Sequence, residues 1–149
     1  SSDLGDLDDA RRWLEAHDRW LAWSGAVRGQ ADGQLAWAAY HRATGDAEAA
    51  RLRAEQSLAS ASSPRQPLAL LAAHRFLGEL NTATDRPNEA ARHLAQSLAL
   101  AEACAAPYER ALTLLGWAFL HAATGTGEAA RPPLTEARAI FAPVAPTRH

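Results

Sequence analysis

The stretch His41-Arg42-Ala43-Thr44-Gly45 returns 40 residues later as Asn81-Thr82-Ala83-Thr84-Asp85, and again as His121-Ala122-Ala123-Thr124-Gly125. Alanines keep the same 40-residue step, at positions 10, 50, 90 and 130. A fixed spacing of this length, maintained without gaps, is typical of proteins that stack one supersecondary unit. The sequence therefore predicts a repeat array, which forms extended surfaces and rarely carries out chemistry.

The composition predicts that each unit is helical. The chain has 149 residues, of which 48% are hydrophobic, enough for a continuous core. Alanine, the strongest intrinsic helix former, makes up roughly a quarter of the chain. Runs of Val, Ile and Thr that would favour strands are absent from the sequence. We therefore expect an all-α fold.

Charge and cysteine content restrict the expected partners and compartment. The formal net charge is −2, and all basic residues are arginine, so nothing draws the chain toward nucleic acid or an anionic membrane. Cys104 is the single cysteine, which fits a reducing compartment. No apolar run approaches the ~20 residues that span a bilayer, and no signal peptide is recognisable. We expect a cytoplasmic protein.

The first residues, Ser1-Ser2, and the lack of any methionine predict a piece of a longer protein or a processed form. The alternative is a complete protein from which only the initiator was removed.

The period divides into pairs of amphipathic helices, each pair joined by a tight turn. Gly45 suits the left-handed residue that ends a helix, and Thr44 and Asp46 offer side-chain oxygens to the next helix start. Pro67, Pro87 and Pro107 suit first helical turns. The predicted helices span 6–23, 26–43, 46–61, 67–83, 87–104 and 107–123, with a seventh after residue 125.

Two further expectations concern the ends and the packing. Pro132 and Pro133 predict that the last helix starts late or bends. Small residues recur where paired helices would touch, with large apolar residues beside them. The small positions are 38, 78 and 118 in the first helices and 50, 90 and 130 in the second helices; the large ones are 37, 77, 117, 40, 80 and 120.

These residues resemble the tetratricopeptide repeat, in which a large and a small residue precede a turn glycine and an alanine follows five places later. The first full unit has Trp37-Ala38, Gly45, Ala50 and Ala54. The next two place Leu77-Gly78, Asp85, Ala90 and Leu94, then Trp117-Ala118, Gly125, Ala130 and Leu134, at the same positions. The resemblance implies a right-handed superhelical stack of about seven helices in one domain, 1–149, divided as 1–23, 24–63, 64–105 and 106–149.

The units exceed the usual 34 residues, and their Ala- and Arg-rich composition resembles the helical-repeat region of LuxR-type ATP-binding bacterial transcriptional regulators. That resemblance implies a non-enzymatic protein-interaction or effector-sensing module within a regulator. The alternatives are a stand-alone adaptor that binds a peptide in its concave groove, and a small-molecule sensor.

The first helices of such an array line its concave face. The repeat register places six residues there as a candidate groove for a protein or peptide partner: Leu35, Arg42, Arg75, Glu79, Leu115 and Phe119. The arginines and the glutamate would provide charge-assisted bonds, and the others apolar contact.

Several polar motifs have a structural explanation. His41, Asn81 and His121 share a repeat position, and we expect each side chain to bond a carbonyl near its own turn. His17, His74 and His93 show no ligand spacing. Gly125-Thr126-Gly127 lacks the strand and third glycine of a phosphate loop. No nucleophile motif surrounds any serine or Cys104, so we predict no catalytic, metal or cofactor site and no enzymatic activity.

Tryptophans form the last candidate surface. Trp37 and Trp117 occupy a repeated core position. Trp13, Trp20 and Trp23 lie in the first helix, where no earlier unit precedes them. They are expected either to fold onto the next unit or to form an apolar interface for another domain or a homodimer.

Overall fold

The prediction of an all-α protein is confirmed. The computed structural model describes residues 3–24 and 28–141, with the side chains of 5–20 and 29–141. Regular secondary structure in this part of the chain is entirely helical. There are seven α-helices and one short 3-10 helix: α1 (Asp3–Ser24), α2 (Arg28–Ala43), α3 (Ala47–Ser62), α4 (Pro67–Ala83), α5 (Pro87–Ala103), α6 (Pro107–Ala123), the 3-10 helix (Gly127–Ala130) and α7 (Arg131–Phe141).

Helix ends follow the local chemistry that the sequence predicts. The helices α4, α5 and α6 begin with Pro67, Pro87 and Pro107. Proline is tolerated there because an N–H at the first helical position would have no acceptor within the helix. Asp46 caps α3 by accepting a hydrogen bond from the Ala49 N–H at 3.1 Å. The predicted capping role of Thr44 is wrong, because its hydroxyl donates backward to the carbonyl of His41, in the preceding helix.

The turns that follow α2, α4 and α6 share one backbone geometry. Gly45, Asp85 and Gly125 all have positive φ, and the residue after each donates its N–H to the carbonyl five places earlier. Ala105 adopts the same left-handed conformation, with φ 50°, at the α5–α6 connection. The sequence did not predict this fourth turn, since alanine gives no signal for positive φ.

The final helix starts late, as the two prolines predict. Residues Gly127–Ala130 form a 3-10 helix where α3 and α5 have their first α-helical turns, and the α-helix begins only at Arg131. Pro132 and Pro133 then occupy its first turn, where their missing donors are tolerated.

The helices pack as consecutive pairs, with α2 against α3, α4 against α5, and α6 against α7. We call α2, α4 and α6 the first helices, and α3, α5 and α7 the second helices. Close backbone contacts also join α2 to α4 and α4 to α6, whereas within residues 28–141 none joins one second helix to another. The first helices therefore lie side by side, and the second helices diverge.

Small residues lie at the contacts, as predicted, with one exception. Ala38 and Ala54 are fully buried in one cluster with Leu77. A Cβ on Gly78 would lie 2.6 Å from Leu94 Cγ, so α4 and α5 approach too closely for a methyl group there. Ala130 is only partly buried, in contrast to Ala50 and Ala90, because it lies in the 3-10 helix rather than in α7.

Polar contacts within the pairs recur at a 40-residue interval. The Ser57 hydroxyl of α3 donates to the Ala31 carbonyl of α2 at 2.7 Å, and the Ser97 hydroxyl of α5 donates to the Leu71 carbonyl of α4 at 3.2 Å. Each serine is buried away from water, so the backbone carbonyl is the hydrogen-bond partner that its hydroxyl group needs. These contacts fix the register of the second helix against the first.

A buried arginine joins consecutive pairs. The guanidinium of Arg51, in α3, donates to Asn81 Oδ1 at 3.2 Å and to Thr84 Oγ1 at 2.9 Å, both at the end of α4. Glu48 neutralises its charge at 2.6 Å. Because the side chain is 9% exposed and saturated with partners, it is a structural link between the pairs.

Candidate functional site

A row of three neighbouring hollows crosses the first helices. They measure about 700, 330 and 440 Å³, are all open to solvent, and run from the start of α4 to its end. Asp32 and Ala72 line both the first and the second hollow, and Glu79 lines both the second and the third. We call these neighbouring hollows the groove.

The length of the groove suits an extended chain. The 17 residues of α4 give it a length of about 25 Å at the helical rise of about 1.5 Å per residue. An extended peptide advances about 3.3 Å per residue, so roughly seven or eight residues would fill the groove.

Five of the six residues predicted to line a groove do line it. Leu35, Arg75 and Glu79 border the middle hollow. Arg42, Glu79 and Phe119 border the hollow at the C-terminal end of α4. Leu115 lies elsewhere, packed against the apolar cluster of Ala111, Leu114 and Ala137 between α6 and α7.

Three charged residues of the groove, Arg42, Arg75 and Glu79, are paired within the protein. Arg75 forms an ion pair with Glu109 of α6, and Arg42 lies 3.9 Å from Glu79 across the α2–α4 contact. The Arg42 guanidinium also lies over the Phe76 ring, 5.9 Å from its centroid. These arginines thus bridge neighbouring first helices, in addition to any contact that they make with a ligand.

Glu79 is the least satisfied of these groups. Burial raises its pKa, and the positive charges of Arg75 and Arg42 only partly oppose that change. The carboxylate is therefore under-solvated at the point where two hollows meet. A cationic group entering the groove would stabilise its charged form.

Phe119 provides the apolar contact surface. Its side chain is 69% exposed on α6, although it stands beside buried Ala118 and Leu120. Large exposed aromatic side chains beside a concavity are frequent at binding surfaces. Phe76, Asp32 and Ala72 also line the hollows but were not predicted from the sequence. Each lies one turn from a predicted residue on the same helix face.

The predicted carbonyl partners of His41, Asn81 and His121 are wrong, although His121 does bond within its own turn, to the Thr126 hydroxyl at 3.1 Å. The rings of His41 and His121 stack on Trp37 and Trp117, one helical turn away, at centroid distances of 5.8 and 5.7 Å. Asn81 accepts from Arg51. The carbonyls near the turns are occupied by turn N–H groups and threonine hydroxyls instead.

His74 and His93 meet, although nothing in their sequence spacing indicated it. Their Nδ1 atoms lie 3.0 Å apart between α4 and α5, at the positions where Gln34 and Arg53 hydrogen-bond between α2 and α3. Burial, and then the charge of His93, lower the pKa of His74 to about 4. Burial, and then Arg92, lower the pKa of His93, with Glu55 and Glu89 opposing.

The two Nδ1 atoms of this pair engage each other. Within the described residues, no three His, Cys, Asp or Glu side chains are grouped closely enough to hold a metal ion. An ordinary hydrogen bond between two neutral rings, one donating its N–H and the other accepting, accounts for their distance of 3.0 Å.

The tryptophans fall into two groups. Trp37 is 9% exposed and donates from Nε1 to Asp18 Oδ2 at 2.7 Å, which fastens α2 to α1. Trp117 is partly buried, and its Nε1 has no partner. Trp13 and Trp20 are 59% and 54% exposed, so they do not fold onto the next unit. The Trp23 side chain lies outside the described residues.

No protein-family model matches the chain, and a search of curated proteins gives no significant match. None of the helices in the described part of the chain has the length and apolarity needed to cross a bilayer.

Proposed function

We propose that the chain is a non-enzymatic protein-interaction module, a right-handed tetratricopeptide-like stack whose groove binds an extended peptide segment of a partner. The observation that carries the proposal is the row of three neighbouring hollows along α4. They are open to solvent, and Phe119 is exposed where it lines the last of them. Elongated grooves of this kind suit a peptide better than a compact small molecule, which needs an enclosed pocket.

The same features define the chemistry of the peptide. An apolar side chain would cover Phe119, and a lysine or arginine would approach the under-solvated carboxylate of Glu79. The second contact is favourable because partial burial raises the pKa of the Glu79 carboxyl group, and a charge-assisted bond would stabilise its charged form. The peptide we propose therefore carries a basic residue next to an apolar one.

The cellular setting that we propose is a bacterial transcriptional regulator of the LuxR-type ATP-binding class, with this module as its partner- or effector-sensing part. The support is the unit length and the Ala- and Arg-rich composition. A stand-alone adaptor would use the same groove. The two proposals differ in the flanking gene sequence, where the regulator requires a nucleotide-binding module and a helix-turn-helix.

Selection from a displayed peptide library tests the groove directly. The purified chain should enrich sequences with adjacent basic and apolar residues, and Phe119→Asp should weaken binding of the selected peptides at least tenfold. The reason is that the substitution places a charge on the apolar wall while removing the aromatic surface.

Leu52→Asp is the matched control, because Leu52 is 58% exposed on α3 and lies outside the groove. It should leave the affinity unchanged. Equal loss of binding in both variants, or enrichment of no peptide at all, would refute the groove as the binding site.

A further inference from the structure

One repeat position holds a tryptophan in two units and a leucine in the unit between them. Trp37 and Trp117 stand at the same position as Leu77. A histidine ring stacks on each tryptophan, whereas Asn81 has the histidine position in the middle unit. The middle unit therefore has two smaller side chains where its neighbours have an indole and an imidazole.

A hollow of about 330 Å³ lies beside Leu77. Residues of α3, α4 and α5 line it, and none of them lines the groove. These three helices lie in the middle of the chain, so the described residues themselves set the shape of the hollow. Its walls include Glu55, Leu58, Leu77, Asn81, Glu89 and His93, and we call it the α3–α5 hollow.

The neighbours of the Trp37 indole show which group fits a space of this shape. Its Nε1 donates to Asp18, and the His41 ring stacks on it. The Arg53 guanidinium lies over it, 5.0 Å from the ring centroid. The residues 40 places after these three neighbours all line the α3–α5 hollow: Leu58, Asn81 and His93. The hollow thus has the position that an indole fills one unit earlier.

Two carboxylates stand beside this apolar space. Glu55 and Glu89 lie on the walls formed by α3 and α5. Both oppose the lowering of the His93 pKa, which places their charges near its ring. Glu89 lies 4.0 Å from Arg86, and Glu55 forms no ion pair within the described residues. Both carboxylates are therefore available to a positive group in the hollow.

The positive charge of Arg51, which also lines the hollow, is engaged within the protein. Its guanidinium donates to Asn81 and Thr84, and Glu48 neutralises it. The charge that the hollow presents to a ligand is consequently negative.

We propose that the α3–α5 hollow is a binding site for a small aromatic amine. The ring of this ligand lies against Leu58 and Leu77, with the imidazole of His93 beside it. Its ammonium group lies between Glu55 and Glu89 and forms charge-assisted bonds with them. Because burial lowers the pKa of His93, the imidazole is uncharged at neutral pH and does not repel the ammonium group.

The volume of the hollow suits a ligand of this size, since small-molecule sites begin at about 300 Å³. The module would then respond to a small effector as well as to a peptide. This site is independent of the groove.

Tryptamine is the probe, because it joins an indole to a protonated amine. Its binding to the ¹⁵N-labelled full chain is followed by amide chemical-shift changes. We expect saturable changes centred on the residues of the α3–α5 hollow. Tryptamine should bind at least fivefold more tightly than N-acetyltryptamine and indole-3-acetate, which have the same ring without the positive charge.

Two variants separate the ring contact from the charge contact. Leu77→Trp should abolish binding, because the new side chain fills the hollow as Trp37 fills the equivalent space. Glu55→Gln with Glu89→Gln should weaken tryptamine binding at least fivefold and remove its advantage over N-acetyltryptamine. Glu128→Gln is the control, in the 3-10 helix and outside the hollow, and should leave the affinity within twofold.

Several results would overturn the proposal: no saturable change at millimolar tryptamine, equal affinity for indole-3-acetate, or binding unaffected by the two glutamines. A folded Leu77→Trp variant that still binds tryptamine would also do so. Leu77 is buried, so circular dichroism establishes whether this variant folds, and the glutamine variant decides the question if it does not.

Two further measurements define the ligand and the site. A tryptophanyl-lysine dipeptide, blocked at both ends, should bind more weakly than tryptamine; tighter binding would assign the hollow to a side chain of a polypeptide and overturn the proposal. Phe119→Asp should leave tryptamine binding within twofold. Because the groove is tested by the library selection and by Phe119→Asp, failure of one site is distinguishable from failure of the other.

Discussion

Where the two helices of a pair touch, a smaller residue on one helix is matched by a larger residue on the other. The α2–α3 pair has Ala38 with Ala54, whereas the α4–α5 pair has Gly78 with Leu94. The leucine also reaches Gly116 of the next first helix, where a Cβ would lie 2.9 Å from its Cδ2. One large side chain thus fills the space left by two glycines on neighbouring first helices, as close packing requires.

Gly78→Ala should destabilise the protein by about 1–3 kcal/mol, because the added methyl overlaps a fully buried leucine that has no free space to move into. The alanine's better helix propensity, worth about 1 kcal/mol, offsets part of this loss. Urea denaturation measures the free energy of unfolding.

In a Leu94→Ala background, the same substitution recreates the Ala38–Ala54 pair. There it should be neutral or stabilising, although Leu94→Ala alone costs about 2–5 kcal/mol. An equal cost of Gly78→Ala in both backgrounds would show that the two side chains do not meet.

Ala105→Gly should stabilise the protein by about 0.5–1 kcal/mol, because φ at this residue is 50°, a conformation that costs an L-residue about 1 kcal/mol and glycine little. Ala103→Gly is the control, two residues earlier and still helical, and should destabilise by about the same amount. Thermal unfolding of the two variants separates the effects; a lower midpoint for Ala105→Gly would contradict the assigned turn.

At the scale of elements, the sequence predicts most of what local chemistry decides. The first residues of α4, α5 and α6 are the predicted ones, Pro67, Pro87 and Pro107. The turns also lie where they were predicted, at residues 45, 85 and 125. Both features depend only on the backbone conformation of a few consecutive residues. The Ala105 turn could not be predicted, since the connection around it, not the residue, imposes its conformation.

Side-chain pairs between elements were harder to predict. His74 with His93 and Arg51 with Asn81 are separated by 19 and 30 residues. No local pattern reports such contacts, which depend on the rotation of one helix against another. The repeat does relate the first of these contacts to another one. Gln34 and Arg53, which are hydrogen-bonded at the equivalent positions of the preceding pair, are also 19 residues apart.

The His74–His93 pair should make stability depend on pH. Since burial lowers both pKa values in the folded protein, the unfolded chain binds more protons between its own pKa of 6.5 and the folded value of about 4 for His74. The contribution is complete above about pH 6.5 and is lost as the pH falls toward 4. Both rings are half-buried, so with solvent screening we expect a loss of about 1 kcal/mol.

The matched control replaces the two histidines with the residues found at the equivalent positions of the preceding pair, Gln34 and Arg53. The variant is His74→Gln with His93→Arg. Urea midpoints measured from pH 7 to pH 4 should fall less steeply for this variant than for the wild type. Parallel profiles would show that the histidines are not the source of the pH dependence.

At the scale of the molecule, the groove follows from unequal spacing of the two sets of helices. First helices touch one another, through Arg42–Glu79 and Arg75–Glu109 among other contacts, while second helices diverge. Five of the six residues that the repeat register predicts for a groove line the hollows. The register could not show that the arginines are engaged by neighbouring acids, nor that Leu115 turns toward α7, because both depend on the neighbouring pair.

The central claim is that the groove over α2, α4 and α6 holds a peptide. Its most direct test is titration of the ¹⁵N-labelled chain with a library-selected peptide, followed by amide chemical-shift changes. We predict the largest changes at groove positions of α4 and α6, including Glu79 and Phe119, with little change along α3. Largest changes along α1, α3 or α5, with the groove unaffected, would contradict the proposal.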